Sequence, residues 1–321
     1  MSRFRKVAFL FPGQGAQYTG MAKDFFDQYP IAKETFEEAD DLLGRKLSTT
    51  VFEGPDALLT ETKNSQLGIY VASLAVLRSI NQLFPTLVPH SCAGLSLGEY
   101  TALTAAGKLS FIDGISLVGN RGKFMNEACE VTSGGMSVVL GLNADQVDEF
   151  VSKLNMPNDL WVANYNCPGQ IVISGTVKGL EAGSAAAKEA GAKRVLPLQV
   201  HGAFHSGLME VAGEQLTPYI EDANLADTPC EIVMNVPGGP VKKLLEIRQN
   251  LIEQVTHSVR WEQGIRYLMA SGVDLFIEFG CGKTLTGFNK RIGVTAPCIS
   301  VEKVIEIDAL DTLLRGTDEI T

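Results

Sequence analysis

Residues 89–108 have the sequence PHSCAGLSLGEYTALTAAGK, which contains the strongest signal for the fold of this chain. Its centre, Gly94-Leu95-Ser96-Leu97-Gly98, matches the pattern G-x-S-x-G, in which a serine lies on a sharp turn between a strand and a helix. Residues 89–94 predict a short strand before the turn, and residues 98–108 are rich in Ala and Leu, which favours a core helix after it. The flanking glycines let the backbone turn without a clash at Cβ. We therefore predict an exposed, nucleophilic serine at position 96.

Further apolar runs extend the strand and helix pattern along the chain. Residues 7–11 are continuously apolar and end at Pro12-Gly13, and residues 275–278, apolar up to Glu278, predict a further strand before a glycine-rich turn. Residues 65–84 are apolar at helical spacing, which predicts a long buried helix. Continuously apolar strands are typical of parallel sheets that are covered on both faces. The sequence therefore predicts an α/β domain with a parallel sheet.

The middle of the chain has a different order of predicted elements. These are a strand at 136–142, a helix at 144–154, strands at 161–164 and 170–174, a helix at 179–190 and a strand at 194–200. The order β-α-β-β-α-β is that of a ferredoxin-like unit. We therefore predict an α/β-hydrolase-like large domain formed by residues 1–132 and 203–321, with a ferredoxin-like small subdomain inserted at 133–202.

The composition and charge of the chain argue against several classes of protein. The 321 residues are 45% hydrophobic and 20% charged, which suits a globular protein with a large core. The net charge of −10 argues against a nucleic-acid-binding protein, because binding phosphates needs clustered Lys and Arg. No apolar run is long enough to span a bilayer, the run at residues 7–10 is too short for a signal peptide, and none of the six cysteines has the CxxC spacing of a zinc site. We expect a cytoplasmic monomer that neither enters a membrane nor holds a metal.

A serine nucleophile needs a base, and the chain has only four histidines. His90 precedes the strand of the motif, where a structural role is the better interpretation. His201 and His205 have the i, i+4 spacing of a zinc-binding pair, but no Glu follows His201, and Gly202 weakens a helix at this point. One of these two histidines is therefore the better candidate for the base.

Two glycine-rich turns are similar to nucleotide-binding loops. Gly13-Gln14-Gly15 begins like a dinucleotide-binding fingerprint, but Tyr18 stands at the position of the third glycine. Gly282-Lys283-Thr284 ends like a phosphate-binding P-loop, but Ile277 stands where its first glycine is required. We interpret both segments as turns that follow strands.

Seven short motifs together resemble the malonyl-CoA:acyl carrier protein transacylases and related acyltransferase domains, from about residue 7 to residue 292. In chain order they are Phe11-Pro12-Gly13-Gln14-Gly15, Gly94-Leu95-Ser96-Leu97-Gly98-Glu99-Tyr100, Arg121-Gly122 with Met125, residues 164–175, Ala203-Phe204-His205-Ser206, residues 254–261, and residues 278–285. Each motif is weak alone, but seven in the order of the family are specific. The resemblance covers most of the chain.

The resemblance implies a catalytic role for each residue that matches a family motif. Ser96 is implied as the nucleophile, His205 as its base, and Gln254 as the residue whose backbone carbonyl orients the histidine. The backbone N–H groups of Gln14 and Leu97 are implied to form the oxyanion hole. A donor directly after the nucleophile, at a helix N-terminus, suits that role.

The substrate contacts are implied in the same way. Arg121 resembles the family arginine that grips the substrate carboxylate, and a guanidinium can hold a carboxylate through two parallel hydrogen bonds. Phe204 resembles the pattern of malonyl-type domains, in which a bulky ring crowds the α-carbon and disfavours methylmalonyl. Met125 and Asn164 lie in family motifs and are assigned to the substrate site.

The implied reaction is a ping-pong transfer from malonyl-CoA, through a malonyl-serine, to the phosphopantetheine thiol of an acyl carrier protein. The coenzyme A thioester is then a substrate, and no bound cofactor is expected. Fatty acid biosynthesis is the expected pathway, with polyketide synthesis as the alternative. Two other classes stay open: a serine thioesterase or hydrolase, which normally has an acidic third residue, and a non-catalytic carrier-binding module of the same fold.

The chain departs from the family pattern at three positions. Leu95 replaces the usual histidine before the nucleophile, Cys281 replaces the proline of a Gly-Pro-Gly segment, and Ser258 replaces a common proline. The change at Leu95 removes a local hydrogen bond. None of the three removes a proposed catalytic group, so we expect the chemistry to survive.

Overall fold

The computed structural model of the chain describes residues 3–200 and 202–316. Its strands are β1 Val7–Phe11, β2 Ser91–Gly94, β3 Gly134–Leu140, β4 Leu160–Cys167, β5 Gln170–Thr176, β6 Arg194–Pro197, β7 Glu231–Met234, β8 Gly239–Val241, β9 Leu275–Phe279 and β10 Cys298–Val301. Its helices are α1 Lys23–Gln28, α2 Pro30–Leu43, α3 Leu47–Glu53, α4 Asp56–Thr60, α5 Thr62–Leu83, α6 Gly98–Ala105, α7 Phe111–Val131, α8 Ala144–Leu154, α9 Val177–Glu189, α10 Glu210–Asp222, α11 Leu244–Glu253, α12 Trp261–Ala270, α13 Thr284–Ile292 and α14 Ile307–Arg315.

Six of the strands form one large sheet in the order β10-β9-β1-β2-β7-β8. All its pairings are parallel except the edge pair β7–β8. In the register of β1 and β2, Phe11 lies opposite Gly94. The loop after β1 and the serine turn after β2 therefore leave the sheet side by side at its carboxyl edge.

Both faces of the large sheet are covered. Phe9 and Phe11 of β1 pack into one apolar cluster with helices α5 and α7, while Ala8 and Leu10 pack into a second cluster with α12 and α13. Alternate residues of one strand thus enter two different cores, which explains why the strand is apolar at every position. The predicted α/β fold with a parallel sheet is confirmed.

The remaining four strands form a separate antiparallel sheet in the order β4-β5-β3-β6. Along the chain its elements follow the predicted order β3-α8-β4-β5-α9-β6. Side chains of α8, including Val147 and Phe150, pack with Ile171 and Ile173 of β5 in a third apolar cluster. The antiparallel unit inside a larger parallel one is confirmed as a fold, while the boundaries at residues 133 and 202 stay a prediction.

The small sheet is hydrogen-bonded to the large domain through β4 and the turn that follows it. Backbone hydrogen bonds join Tyr165 N–H to the Val259 carbonyl at 2.9 Å and Val259 N–H to the Ala163 carbonyl at 2.8 Å. On α13, Arg291 donates to the Pro168 carbonyl at 3.2 Å and to Gln170 Oε1 at 2.5 Å. These contacts place one wall of a cleft over the carboxyl edge of the large sheet.

The predicted core helix at residues 98–108 is shorter in the structure. It ends at Ala105, because Gly107 adopts a left-handed φ of 70° and Lys108 N–H turns back to the Leu103 carbonyl. The predicted strand at 194–200 likewise ends at Pro197. Within residues 3–200 and 202–316, no helix combines the length and the apolar character that crossing a bilayer requires.

Candidate active site

Ser96 lies on the tight turn between β2 and α6, as the motif predicts. Its backbone has a φ of 53°, a left-handed conformation that costs an L-residue about 1–2 kcal/mol. The glycines on either side are required by close backbone approach. A Cβ on Gly94 would lie 1.9 Å from the Gly98 carbonyl oxygen, and a Cβ on Gly98 would lie 2.2 Å from that of Phe11. The turn can therefore form only with glycine at both positions.

His205 reaches the serine from the loop that follows the small sheet. Its Nε2 lies 2.8 Å from Ser96 Oγ, although the two residues are far apart in sequence. Its Nδ1 lies 2.8 Å from the Gln254 carbonyl and 3.1 Å from the His257 carbonyl. Because two carbonyl oxygens can only accept, they require the proton on Nδ1. Nε2 is then an acceptor for the Ser96 hydroxyl, which is the arrangement of a general base.

The surroundings keep this imidazole neutral. The pKa of His205 is lowered from 6.5 to about 4, chiefly by burial and also by the charge of Arg121, while the carbonyls of Gln254 and His257 oppose both effects. A neutral base at pH 7 is ready to accept a proton. The other candidate of the pair, His201, lies outside the described residues, and His90 is exposed before β2.

Arg121 enters the same site from α7 and is only 1% exposed. One guanidinium nitrogen donates to Ser96 Oγ and to Gln254 Oε1, both at 3.0 Å, and the other donates to Gln66 Oε1 at 2.6 Å. Its Nε–H has no hydrogen-bond partner in the part of the chain that the structure describes. Burial lowers the pKa of Arg121, while nearby Tyr100 and Glu99 raise it. The site therefore holds a buried cation with an unfilled donor beside the serine.

A second layer of buried side chains fixes the serine turn. Asn235, which directly follows β7, accepts from Ser96 N–H at 2.7 Å and donates to the Gly94 carbonyl at 2.7 Å. The side chain of Gln254 donates to the Ser96 carbonyl at 2.9 Å and to Glu99 Oε1 at 2.9 Å. Burial raises the pKa of Glu99 to about 8, against the lowering effects of the Asn235 N–H, the Arg121 charge and the Gln254 amide. Both carboxylate oxygens nevertheless accept from N–H groups, and this geometry requires the ionised form.

The two residues assigned to the oxyanion hole flank the turn. Gln14 lies on the loop after β1 and lines the same cleft as Ser96; its side chain donates to Thr62 and accepts from Gln66, both at 3.3 Å. Leu97 precedes the first residue of α6, so its N–H belongs to the helix N-terminus. At these positions, the backbone N–H groups of Gln14 and Leu97 suit donation to an oxyanion at Ser96. This role stays a prediction.

The cleft between the two sheets has a volume of about 220 Å³. The predicted residues Met125, Asn164 and Phe204 line it together with Ser96 and His205. The small sheet and its following loop add Met136, Val172, Leu198 and Val200, and α13 adds Leu285 and Phe288. A mostly apolar cleft with a few converging polar groups at its base is typical of a substrate site.

Sequence reasoning missed four members of the site: Gln66, Glu99, Asn235 and the His257 carbonyl. Glu99 had a signal, since it directly follows the G-x-S-x-G motif. Asn235 directly follows β7, at the edge where active sites of parallel sheets lie. A backbone carbonyl such as that of His257 leaves no trace in the sequence. No cluster of three or more His, Cys, Asp or Glu side chains suited to a metal ion occurs among residues 3–200 and 202–316.

Comparison with known proteins agrees with this geometry. Residues 8–287 match the model of the acyl transferase domain family. The malonyl CoA-acyl carrier protein transacylase of Bacillus subtilis is 44% identical, over 98% of this chain and 99% of that protein.

Two solved structures share the fold at similar identity. An acyl carrier protein S-malonyltransferase from Vibrio cholerae has a TM-score of 0.91 and 36% identity, over 95% of this chain and all of that one. A malonyl-transacylase solved with its type II PKS acyl-carrier protein has a TM-score of 0.91 and 35% identity, over 97% of this chain and 99% of that one. The chain therefore belongs to the malonyl CoA-acyl carrier protein transacylase family.

Proposed function

We propose that this chain transfers the malonyl group of malonyl-CoA to the phosphopantetheine thiol of an acyl carrier protein and so supplies fatty acid biosynthesis. One observation supports the proposal above all others. Ser96 Oγ lies between a neutral imidazole at 2.8 Å and a buried guanidinium at 3.0 Å. The imidazole suits the activation of a nucleophile, and the guanidinium suits the binding of an acyl group that carries its own carboxylate.

In the first half of the reaction, Ser96 Oγ attacks the thioester carbonyl of malonyl-CoA while His205 Nε2 accepts its proton. The carbonyls of Gln254 and His257 hold the resulting imidazolium by accepting from Nδ1–H. The backbone N–H groups of Gln14 and Leu97 stabilise the oxyanion of the tetrahedral intermediate; losing one such donor typically costs about 10²–10³-fold in rate. The C–S bond then breaks, His205 returns the proton to the thiolate, and coenzyme A leaves.

In the second half, the thiol of the carrier-bound phosphopantetheine takes the place of coenzyme A. His205 accepts the thiol proton, the sulfur attacks the malonyl-serine ester, and the proton passes to Ser96 Oγ as the ester bond breaks. These steps use side chains and backbone groups of the chain only, so we propose that the enzyme needs no bound cofactor. A monomeric state and a cytoplasmic location stay predictions.

Acyl selectivity follows from the groups beside the serine. Arg121 is buried, so an acyl group that brings a carboxylate pairs with its charge, whereas acetyl leaves the cation unpaired. Phe204 is buried and lines the cleft next to His205, where its ring suits the exclusion of a methyl branch at the α-carbon. The proposed order of preference is therefore malonyl over both acetyl and methylmalonyl.

The carrier and the pathway follow from the relatives. The related malonyl-transacylase was solved in complex with a type II PKS acyl-carrier protein, which supports an acyl carrier protein as the partner. That relative also keeps polyketide synthesis as the second candidate pathway. A hydrolase is the weaker alternative, because the group that orients His205 is the Gln254 carbonyl and not the side chain of an Asp or Glu. In addition, hydrolysis would not explain the buried Arg121.

Intact-mass measurement tests the proposed function. Incubation of the enzyme with malonyl-CoA is expected to add one malonyl group at Ser96, and addition of a holo acyl carrier protein to remove it and label the carrier. Acetyl-CoA and methylmalonyl-CoA, tested in parallel, are expected to give far less adduct. Turnover of malonyl-CoA to free malonate without a carrier, with no adduct passed to the carrier, would instead favour the hydrolase.

The pH dependence of acylation reports on His205. Because its pKa is lowered to about 4, the neutral base is lost only as the pH falls through that value, so kcat/KM for acetyl-CoA should stay level down to about pH 5. Replacing Arg121 by alanine removes a charge that lowers this pKa, so the acid limb should move toward 6.5. Both pH profiles, that of the wild type and that of Arg121→Ala, are measured by quenching the acylation reaction at set times and determining the intact mass. Lys123→Ala is the control. A wild-type acid limb near 6.5 would contradict the neutral, buried base.

A further inference from the structure

Glu99 is a buried carboxylate on the first turn of α6, directly behind the serine turn. It is fully buried, and it does not line the cleft. Its Oε2 accepts from Asn235 N–H at 2.5 Å, and its Oε1 accepts from Gln254 Nε2 at 2.9 Å. Neither catalysis nor substrate contact as derived above uses this group, although burying a carboxylate is costly unless it is paired.

The amide of Gln254 connects Glu99 to Arg121. Its nitrogen has two donors, and both are used: one goes to Glu99 Oε1 and the other to the Ser96 carbonyl at 2.9 Å. The amide oxygen consequently faces the guanidinium and accepts from Arg121 at 3.0 Å. If the amide rotated by half a turn, its NH₂ group would face the guanidinium, donor against donor. Glu99 and the Ser96 carbonyl therefore together fix which end of the Gln254 amide meets Arg121, and Glu99 is the only charged acceptor of the two.

We infer that Glu99 is a positioning residue for acyl selectivity, which fixes the Gln254 side chain and through it the guanidinium that receives the malonyl carboxylate. Both carboxylate oxygens of Glu99 accept a hydrogen bond, one from Asn235 N–H and one from Gln254 Nε2, which only the ionised form can do. A glutamine at this position would replace one of these acceptors with a donor, and that donor would face either the Asn235 N–H or the Gln254 NH₂ group. The inference rests on the proposed function, because it assumes that Arg121 binds the acyl carboxylate.

The intervening amide also explains how Arg121 stays available. A carboxylate in direct contact with the guanidinium would form the two-pronged pair that the substrate needs. With Gln254 between them, Glu99 contributes negative charge to the surroundings of Arg121 and occupies none of its N–H groups, and the Nε–H stays without a partner among the described residues. The site thus keeps its cation charged, with one buried N–H group that no described residue occupies.

The test compares two acyl donors in Glu99→Gln, which keeps the size of the side chain and removes one acceptor. We expect kcat/KM for malonyl-CoA to fall by about 10- to 100-fold and that for acetyl-CoA by no more than about threefold, since only malonyl has a carboxylate for the guanidinium to bind, and acetyl loses at most part of the support that Arg121 gives to Ser96 Oγ. Glu99→Asp retains two acceptor oxygens and should recover part of the malonyl preference. In combination with Arg121→Ala, Glu99→Gln should cause little further loss with malonyl-CoA, because the group it positions is absent.

Glu278 supplies a matched control, because it is a second buried carboxylate that accepts two backbone N–H groups, from Leu285 and Thr286, and has no contact with Arg121. Glu278→Gln should lower the thermal midpoint and leave the ratio of malonyl to acetyl activity unchanged. The inference would be overturned if Glu99→Gln and Glu99→Asp lowered kcat/KM equally for malonyl-CoA and acetyl-CoA, or if the effects of Glu99→Gln and Arg121→Ala on malonyl-CoA were fully additive. In either case, malonyl loading by the wild type would still support the proposed function. Failure of the wild type to load malonyl would overturn the function itself.

Discussion

Ser96→Ala is expected to abolish malonyl transfer, with a loss of about 10⁴- to 10⁶-fold in kcat. The substitution removes the single oxygen that lies within 2.8 Å of His205 Nε2 and 3.0 Å of the Arg121 guanidinium. No covalent intermediate can form without it, so a ping-pong exchange has no first half. Malonyl incorporation into the variant is measured by radiolabel or by intact mass after incubation with malonyl-CoA, and we expect no adduct.

The fold should tolerate this change. Alanine and serine meet a similar cost at a φ of 53°, and the backbone of residue 96 keeps its hydrogen bonds to Asn235 and Gln254. We therefore expect the thermal midpoint to change little, which separates loss of the nucleophile from loss of structure. Ser116→Ala, on the exposed surface of α7, is the matched control and should load as the wild type does. An adduct that persists on the Ser96→Ala protein would refute the assignment of the nucleophile.

Much of the fold follows from local sequence signals. The apolar strands β1 and β9 and the glycines around Ser96 are local features, because burial on both faces and a tight backbone approach each demand particular residues at particular positions. The β-α-β-β-α-β order of the small sheet is local as well. The end of α6 at Ala105 was not predictable from its Ala-rich composition, since a left-handed glycine and a returning N–H decide it.

The candidate active site also contains residues that the sequence predicts and residues that depend on tertiary contacts. Ser96 was predicted from its motif, and His205, which residue type alone left open against His201, was implied by the family resemblance. The structure brings Ser96 and His205 within hydrogen-bond distance. The support of the site was not predictable, because Gln66 and Asn235 act through contacts with residues far away in sequence. Burial of Arg121 is also a tertiary property, since a lone Arg on a helix is more often a surface charge. The catalytic roles of these residues stay predictions.

Arg121→Ala is expected to reduce kcat/KM for malonyl-CoA by about 10²–10³-fold. Removing one partner of a buried charge pair typically costs about 3–5 kcal/mol, and each 1.4 kcal/mol is a factor of ten. The same change should reduce acetyl transfer by about tenfold or less, because acetyl has no carboxylate and loses only the support that the guanidinium gives to Ser96 Oγ. The ratio of the two activities, measured with a holo acyl carrier protein as acceptor, should therefore fall by at least about tenfold.

Two further variants separate charge from geometry. Arg121→Lys keeps a cation and loses the planar fork, so its malonyl activity should lie between those of the wild type and the alanine variant. Lys123→Ala removes a positive charge from the same helix at a side chain that is 61% exposed, and both activities should stay unchanged. Equal losses of malonyl and acetyl transfer in Arg121→Ala would confine the arginine to holding Ser96 Oγ. The malonyl preference would then have to arise from the apolar walls of the cleft, which offer a carboxylate no partner.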